Sequence, residues 1–379
     1  PIAHVLLRAD ESLEDTAQLP PSGEMDLPMN WQLRGLDNFH GRVHFERTFS
    51  FDGLQPGEAS IWIVFRGVDY YAKVWINDEL VGRHEGYFQP FSFDITPIVH
   101  PGENHIVVEV CDPLEDPETI WPDHKRMIKG VISHWDCRPG SWDLQTGQDQ
   151  NSGGIWNDVF LETRPTAYIG HIRTSTKLVP QSAPEGFSSD PGLVSSDSYQ
   201  AIVTVEAEVF GPCVEYQLSA IIGTAEHPAG SAEQAVQLIE SGQRHTLVVQ
   251  ILEPKLWWTW DMGEPHLEPL TVIIKKDGSE VDRQTIEIGL RELMLDPQTG
   301  EWWINHRRFF VRGTNVVPTL WLGEYDQTMI DRDIELLRHA HINGVRVCVH
   351  VNRDEFYTAL DRAGIIAWQD FALQWGYIE

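Results

Sequence analysis

Basic residues are scarce in this chain: 28 lysines and arginines stand against 57 aspartates and glutamates, for a formal net charge of −29. A protein that tracks a phosphate backbone neutralises it with clustered Lys and Arg, so nucleic acid is not an expected partner. Cysteine is scarcer still. Cys111, Cys137, Cys213 and Cys348 are the four among 379 residues, with no C-x-x-C spacing, which argues against both a disulfide framework and a structural zinc site. No Asn-x-Ser/Thr sequon occurs, and no apolar run approaches the roughly 20 residues of a membrane span. Pro1-Ile2-Ala3-His4 opens no signal peptide, and a start at Pro1 implies a processed or trimmed N-terminus. These absences lean towards a cytoplasmic, bacterial-type protein without a membrane partner.

What is present is a soluble globular composition, 41% hydrophobic and 22% charged, which disfavours disorder. The length calls for two or three domains rather than one core. The first region alternates in short runs: Val43, Phe45, Phe49 and Phe51; Ala72, Val74 and Ile76 up to an Asn77-Asp78 turn; Phe91, Phe93 and Ile95; Ile106, Val108 and Val110. Such runs between turn residues point to a β-sandwich or jelly roll. From Asp112 to about Gly154 periodicity disappears, and Trp121, Trp135 and Trp142 fall among prolines and glycines. Two readings stay open for this excursion: its tryptophans plug it onto the sandwich, or it reaches across to a neighbouring site.

A second all-β region follows. After a loop-like Pro180-Ser198, residues Ala201, Val203, Val205, Ala207 and Val209 alternate, as do Tyr216, Leu218, Ala220 and Ile222, then Leu247, Val249 and Ile251. Asp277-Gly278 is a hairpin signal. About seven strands in this span suggest an immunoglobulin-like sandwich. Past Gly289 the pattern changes. A hairpin around Asn305-His306 leads to Arg312-Gly313-Thr314-Asn315, then a helix N-capped by Asp326 with Ile330, Ile334, Leu337 and His341 on one face. Val345-Val351 reads as a parallel strand buried on both sides, a second helix ends at Gly364, and Ile365-Phe371 is the next strand. This is βαβαβ, the opening of a parallel α/β unit whose remaining edge stays exposed.

Several stretches resemble glycoside hydrolase family 2. They are Asn30-Trp31-Gln32-Leu33, Val74-Trp75-Ile76-Asn77, Gly86-Tyr87-Phe88-Gln89-Pro90-Phe91 and Gly153-Gly154-Ile155-Trp156-Asn157-Asp158 in the first region. Leu256-Trp257-Trp258 and Ile288-Gly289-Leu290-Arg291 follow in the second; Phe310-Val311-Arg312-Gly313-Thr314-Asn315, Ile342-Asn343-Gly344-Val345-Arg346 and Trp368-Gln369-Asp370-Phe371 complete the set in the third. Each motif is weak alone, but their order along nearly the whole chain is specific. The resemblance implies a multidomain, mainly β architecture. Residues 1–165 would form a jelly-roll sugar-binding-type domain, 166–290 an immunoglobulin-like sandwich, and 291–379 the first βαβαβ part of a (β/α)8 barrel. Trp368-Gln369-Asp370-Phe371 resembles the β-mannosidase-like branch, whereas Val347-Cys348-Val349-His350-Val351 stands where that branch carries Trp-Gly-Gly-Gly.

The implied activity is retaining exo-β-glycoside hydrolysis, which needs two carboxyl groups roughly 5–5.5 Å apart, one as acid/base and one as nucleophile. In the family the acid/base follows an Asn near the fourth barrel strand. No Asn-Glu pair occurs here, so both catalytic glutamates are expected beyond Glu379 and this chain alone is expected to be inactive. No cofactor and no metal are implied. The expected partners are a β-linked carbohydrate and the remainder of the barrel, with a homo-oligomer left open.

Residues at the C-terminal ends of the barrel strands should line the sugar pocket. By resemblance, Arg346 would be buried, pairing the nucleophile and contacting the sugar; a structural ion pair is its alternative. His350 would contact sugar or be a satisfied core histidine. Trp368 offers an indole face to the sugar, and Asp370 would accept from sugar hydroxyls or cap a following helix. Asn315 ends the first strand. The excursion adds Asp149, then Asp143, by position before Gly153-Gly154-Ile155-Trp156, with a solvated loop Asp as the alternative for each. A non-catalytic carbohydrate-binding protein built on the sandwiches competes with the enzyme, as does a structural piece whose other half comes from another polypeptide. A reading frame running several hundred residues further would decide for the enzyme.

Overall fold

A computed structural model describes residues 2–8, 23–36, 39, 41–56, 58–113, 126–131, 152–180 and 199–373. The first sandwich pairs a six-stranded antiparallel sheet with a three-stranded one. The larger sheet runs, in spatial order, Gly23–Asp26, Ile2–Arg8, Gly41–Phe51, Gly102–Asp112, Tyr71–Ile76 and Glu79–Glu85; the smaller runs Val159–Arg164, Ser60–Phe65 and Phe91–Asp94. The period of two sends Val43, Phe45, Ala72, Val74, Ile76, Val108 and Val110 from one sheet against Ile61, Ile63 and Phe65 from the other, all in one buried cluster. Asn77 and Asp78 both take positive φ, 49° and 69°, the backbone a tight two-residue hairpin needs.

The second sandwich faces Tyr168–Pro180, Tyr199–Phe210 and Gln243–Ile251 against Pro228–Gln237, Glu215–Gly223, Glu268–Lys276 and Ser279–Ile288. Alternate residues from Ala201 to Val209 are fully buried, opposite Leu218, Ala220, Leu270, Val272 and Ile274. Asp277-Gly278 forms its hairpin with φ of 50° and 79°.

Beyond it, Leu293–Leu295, Trp302–Ile304 and Arg307–Phe309 form a small antiparallel sheet, turning at Asn305 and His306. Then β1 (Gly313–Val316), α1 (Gln327–His339), β2 (Gly344–Val347), α2 (Asp354–Ala363) and β3 (Ile366–Gln369) follow. The three strands pair in parallel in the order β1-β2-β3. Asp326 caps α1 by accepting from the Met329 N–H at 3.0 Å. Ile330, Leu337, Phe356 and Leu360 bury against Val316, Val345 and Val347.

Two expectations need correction here. His341 does not share the buried face of α1. The helix ends at His339, and His341 turns left-handed with φ 57° and is exposed. β2 is also shorter than Val345-Val351 and is covered on one face only. Arg346, expected to be buried, has 48% of its side chain exposed. The helices cover the Val345/Val347 face, and among the described residues only the small antiparallel sheet borders the opposite one.

The parallel unit is pinned to both sandwiches. Trp257 and Trp260 donate their indole N–H groups to the carbonyls of Asp361 and Ile342, each at 2.8 Å, and Arg291 pairs Asp361 at 2.9 Å. Asn30 of the first sandwich accepts from the Gly323 N–H at 3.0 Å. Gly364 ends α2 at φ 71°, and a Cβ there would lie 2.7 Å from the Trp260 nitrogen; Gly278 has a similar φ of 79° with open space around it. We therefore expect Gly364→Ala to cost about 2 kcal/mol or more and Gly278→Ala about 1 kcal/mol, since the left-handed penalty alone is roughly 1–2 kcal/mol. Chemical denaturation of the two variants checks this; equal losses would remove the packing component of the argument.

Candidate functional site

The three parallel strands set Asn315, Arg346 and Trp368 side by side, in register across β1, β2 and β3. They share the face turned away from the helices, because their neighbours Val316 and Val347 point the other way into the core. With Leu293, Trp302, Phe309 and Val311 they border a concave region of about 600 Å³. Trp302 meets Trp368 edge to face, ring centroids 5.7 Å apart. Trp368 keeps 56% of its surface exposed, so much of the indole remains available for contact.

Asp370 follows β3 directly and takes the Arg346 guanidinium in a two-point grip, Nε to Oδ1 at 3.1 Å and Nη2 to Oδ2 at 2.7 Å. The fork fixes the plane of the guanidinium as well as its position. Hydrogen bonding to this carboxylate pushes the Arg346 pKa up from its ordinary value, so the cation is permanent. Both carboxylate oxygens of Asp370 are thereby engaged.

His350 is fully buried beyond the end of β2. Its Nδ1 lies 2.9 Å from the Cys348 carbonyl, an arrangement that makes Nδ1 the donor and leaves Nε2 as an acceptor. Nε2 is buried and has no hydrogen-bond partner among the described residues. Burial pushes the His350 pKa down, against smaller opposing effects of the Cys348 carbonyl and Asp370. The ring is therefore neutral. A polar network that sequence reading assigned no role holds this corner. Gln369 Nε2 donates to the carbonyls of His350 and Asp370, both at 2.6 Å. The Tyr357 hydroxyl donates to Gln369 Oε1 and accepts from the Asn352 N–H at 3.0 Å. The only available signal was an amide side chain in a strand that otherwise reads as apolar.

Asp143 and Asp149 lie outside the described residues, as do Trp121, Trp135 and Trp142. The described part of the excursion, 126–131, buries Met127 and Val131 with Tyr70, Tyr87 and Trp156 of the first sandwich and Leu322 from the loop after β1. Between them Lys129 is buried without exposure against Asp69 and Asp112. Sequence reading missed this cluster too, although Met127-Lys129-Val131 does alternate. Asn315, Arg346 and Trp368 thus share one face of the parallel sheet, with Asp370 held on Arg346, while His350 is enclosed beyond the end of β2.

This arrangement of two sandwiches and a parallel β/α unit has known counterparts. A family model described as "Glycosyl hydrolase 2 galactose-binding domain-like" matches residues 36–156, and one described as "Glycosyl hydrolases family 2" matches residues 190–291. Among curated proteins, beta-mannosidase B of Aspergillus terreus is 25% identical over 401 aligned positions, covering 95% of this chain and 43% of that protein. The mannosylglycoprotein endo-beta-mannosidase of Lilium longiflorum is 25% identical over 362 positions, covering 87% of this chain and 35% of that protein. A putative beta-galactosidase from Bacteroides fragilis has the same fold, with a TM-score of 0.70 at 17% identity over 93% of this chain and 49% of the other. A beta-glucuronidase from Ruminococcus gnavus aligns with a TM-score of 0.69 at 16% identity over 98% and 58%. The chain belongs to glycoside hydrolase family 2, a family of glycosidases, and it spans less than half the length of the curated relatives it matches. No helix among the described residues is long and apolar enough to cross a membrane.

The buried neutral His350 predicts a pH dependence. Its folded pKa lies below the ordinary 6.5, so as pH falls the unfolded chain takes up the proton first. Stability present above that value is then lost as pH falls through the folded pKa. His84 and His245, also lowered by burial, act with the same sign. His350→Asn keeps a donor near the Cys348 carbonyl and removes one titration, so melting temperature between about pH 7 and 5 should fall less steeply than in the parent. An unchanged slope would assign the acid sensitivity to the other two histidines.

Proposed function

We propose that the chain supplies the sugar-positioning part of a retaining exo-β-glycosidase. In this reading residues 1–165 are a jelly-roll domain, 166–290 an immunoglobulin-like domain, and 291–379 the opening of a (β/α)8 barrel. The observation that carries it is the Arg346–Asp370 fork at the C-terminal ends of adjacent parallel strands, the end where barrel enzymes build their sites. Further polypeptide would complete the sheet, because β1 and β3 are both edge strands. It would also cover Phe310 and Phe371, which are 80% and 86% exposed.

Retaining hydrolysis divides the reaction between a carboxylate that forms the glycosyl-enzyme bond and an acid/base that protonates the leaving oxygen and then activates water. Both would come from outside these residues. The chain's own groups bind and orient. Arg346, with Nη1 free of the Asp370 grip, offers a fixed cation to the nucleophilic carboxylate or to a sugar oxygen. His350, enclosed with its Nε2 buried, supports the end of β2 from within, and Trp368 lies under a sugar face. Asp370 orients Arg346 and keeps a second lone pair on each oxygen for a sugar hydroxyl. Asn315 lies beside Arg346 in the same row. Asp149 or Asp143 would wall the pocket from the excursion and block longer chains, which makes the action exo. The names of the curated relatives favour a β-mannoside as the first substrate to try.

Two measurements test the reading. The purified 379-residue chain should show no turnover of nitrophenyl β-glycosides; turnover by this chain, with contaminants excluded, refutes the need for outside carboxylates. In a polypeptide that also carries the rest of the barrel, Asp370→Asn should lower kcat/KM by about 100-fold through a misplaced guanidinium, with the melting temperature nearly unchanged. Unchanged kinetics would leave Arg346 and Asp370 as a structural pair.

A further inference from the structure

Lys129 is the one lysine found with no exposed side-chain surface among the described residues. Its ammonium meets Asp69 Oδ1 and the Ser152 carbonyl, each at 2.8 Å, and Asp112 Oδ1 at close range. These acceptors come from three separate stretches: the turn after Ser60–Phe65, the end of Gly102–Asp112, and the approach to Gly154–Ile155. One cation therefore joins the place where the excursion leaves the sandwich, its middle, and the place where it returns. Burial works against the Lys129 charge, yet Asp112 and Asp69 more than offset it and raise its pKa, while burial raises that of Asp69. The ammonium is the form held.

Met127, Lys129 and Val131 are all buried while Ile128 is 39% exposed, and Gly130 at φ 83° turns the chain between Lys129 and Val131. Met127 and Val131 close over Tyr70, Tyr87, Trp156 and Leu322. Leu322 belongs to the loop that leaves the C-terminal end of β1, and it precedes Gly323, whose N–H is held by Asn30. A Cβ at Gly323 would come within 2.8 Å of the Asn30 nitrogen, so the loop approaches the sandwich closely at this point.

We propose that Lys129 is a positioning residue: clamped by Asp69, Asp112 and Ser152, it holds strut 126–131 so that Met127 and Val131 seat Leu322 and fix the loop leaving β1. The first sandwich then sets the geometry at the site end of the parallel sheet through a residue that touches neither Arg346 nor Asp370. This inference does not depend on the glycosidase reading.

Hydrogen exchange on the 379-residue chain tests it. Lys129→Met leaves two buried carboxylates without their cation, so the companion variant Lys129→Met/Asp69→Asn/Asp112→Asn removes the charge imbalance as well. In whichever variant folds, amide protection should fall by roughly tenfold or more at 126–131 and also at 322–325. Protection across the second sandwich, 199–288, should stay unchanged. Loosening at 126–131 without loosening at 322–325 would overturn the coupling, as would full protection of both segments in the triple variant. Loss of the second sandwich in both variants would overturn it too, by making the cluster a determinant of the whole fold.

Discussion

A parallel sheet of three strands has two faces to cover and two helices to cover them with. Here α1 and α2 take one face, and the unit is held in place by two indoles from the second sandwich. Trp257 and Trp260 are tied to the carbonyls of Asp361 and Ile342, and Trp257 is fully buried. These N–H groups give a specific register to an apolar contact, because an indole donor buried without an acceptor would cost roughly 1–3 kcal/mol. Gly364 lets the chain pass within contact of Trp260, and Arg291 stacks on Trp257 while pairing Asp361. The direction in which β1, β2 and β3 present their ends follows from this docking.

The other face carries the polar and aromatic side chains. Asn315, Arg346 and Trp368 form one row across it, and their exposure follows from the same asymmetry that buries Val345 and Val347. Arg346 does not need burial to be fixed. Two short contacts to Asp370 fix its orientation in the partly solvated site, where a single surface pair would contribute little. His350 is treated the opposite way: it is enclosed and neutral, its Nδ1 donating to the Cys348 carbonyl while Gln369 donates to the carbonyl of His350 itself. The corner thus sets a permanent, partly exposed cation beside an enclosed neutral imidazole.

A second polar knot lies on the first sandwich, where Lys129, Asp69 and Asp112 are withdrawn from water altogether. Buried charges of this kind add little net stability over an apolar core, but they accept few alternative arrangements. The knot ties segment 126–131 to the sandwich. Its apolar flanks reach Leu322 at the margin of the site.

Much of this was legible in the sequence. Alternation marked the strands around Val43, Ala72, Phe91, Ile106, Ala201, Tyr216 and Leu247 because a period of two commits a strand to one buried face, but it did not mark Ile2–Arg8, Ser60–Phe65, Glu79–Glu85 or Pro228–Gln237. Asn77-Asp78, Asp277-Gly278 and Asn305-His306 marked turns through their tolerance of positive φ, and Asp326 and Gly364 marked helix ends through capping. The row Asn315, Arg346 and Trp368 was named residue by residue from motif resemblance. Local pattern could not say which partner each group would find. It placed Arg346 inside, since an apolar run looks buried on both faces until the second layer is counted. It named Asp370 as an acceptor but not the guanidinium on the adjacent strand that it grips. It carried His341 one turn too far along α1, and it passed over Gln369, Tyr357 and Lys129. The meaning of those residues lies in contacts to carbonyls and carboxylates distant in the chain: Lys129 is 17 residues from Asp112, and Gln369 is 19 from His350. Periodicity and capping are properties of neighbours along the chain, so the sequence determined the elements. Pairing of charges and closure of polar networks depend on distances across the fold, so the tertiary structure decided those.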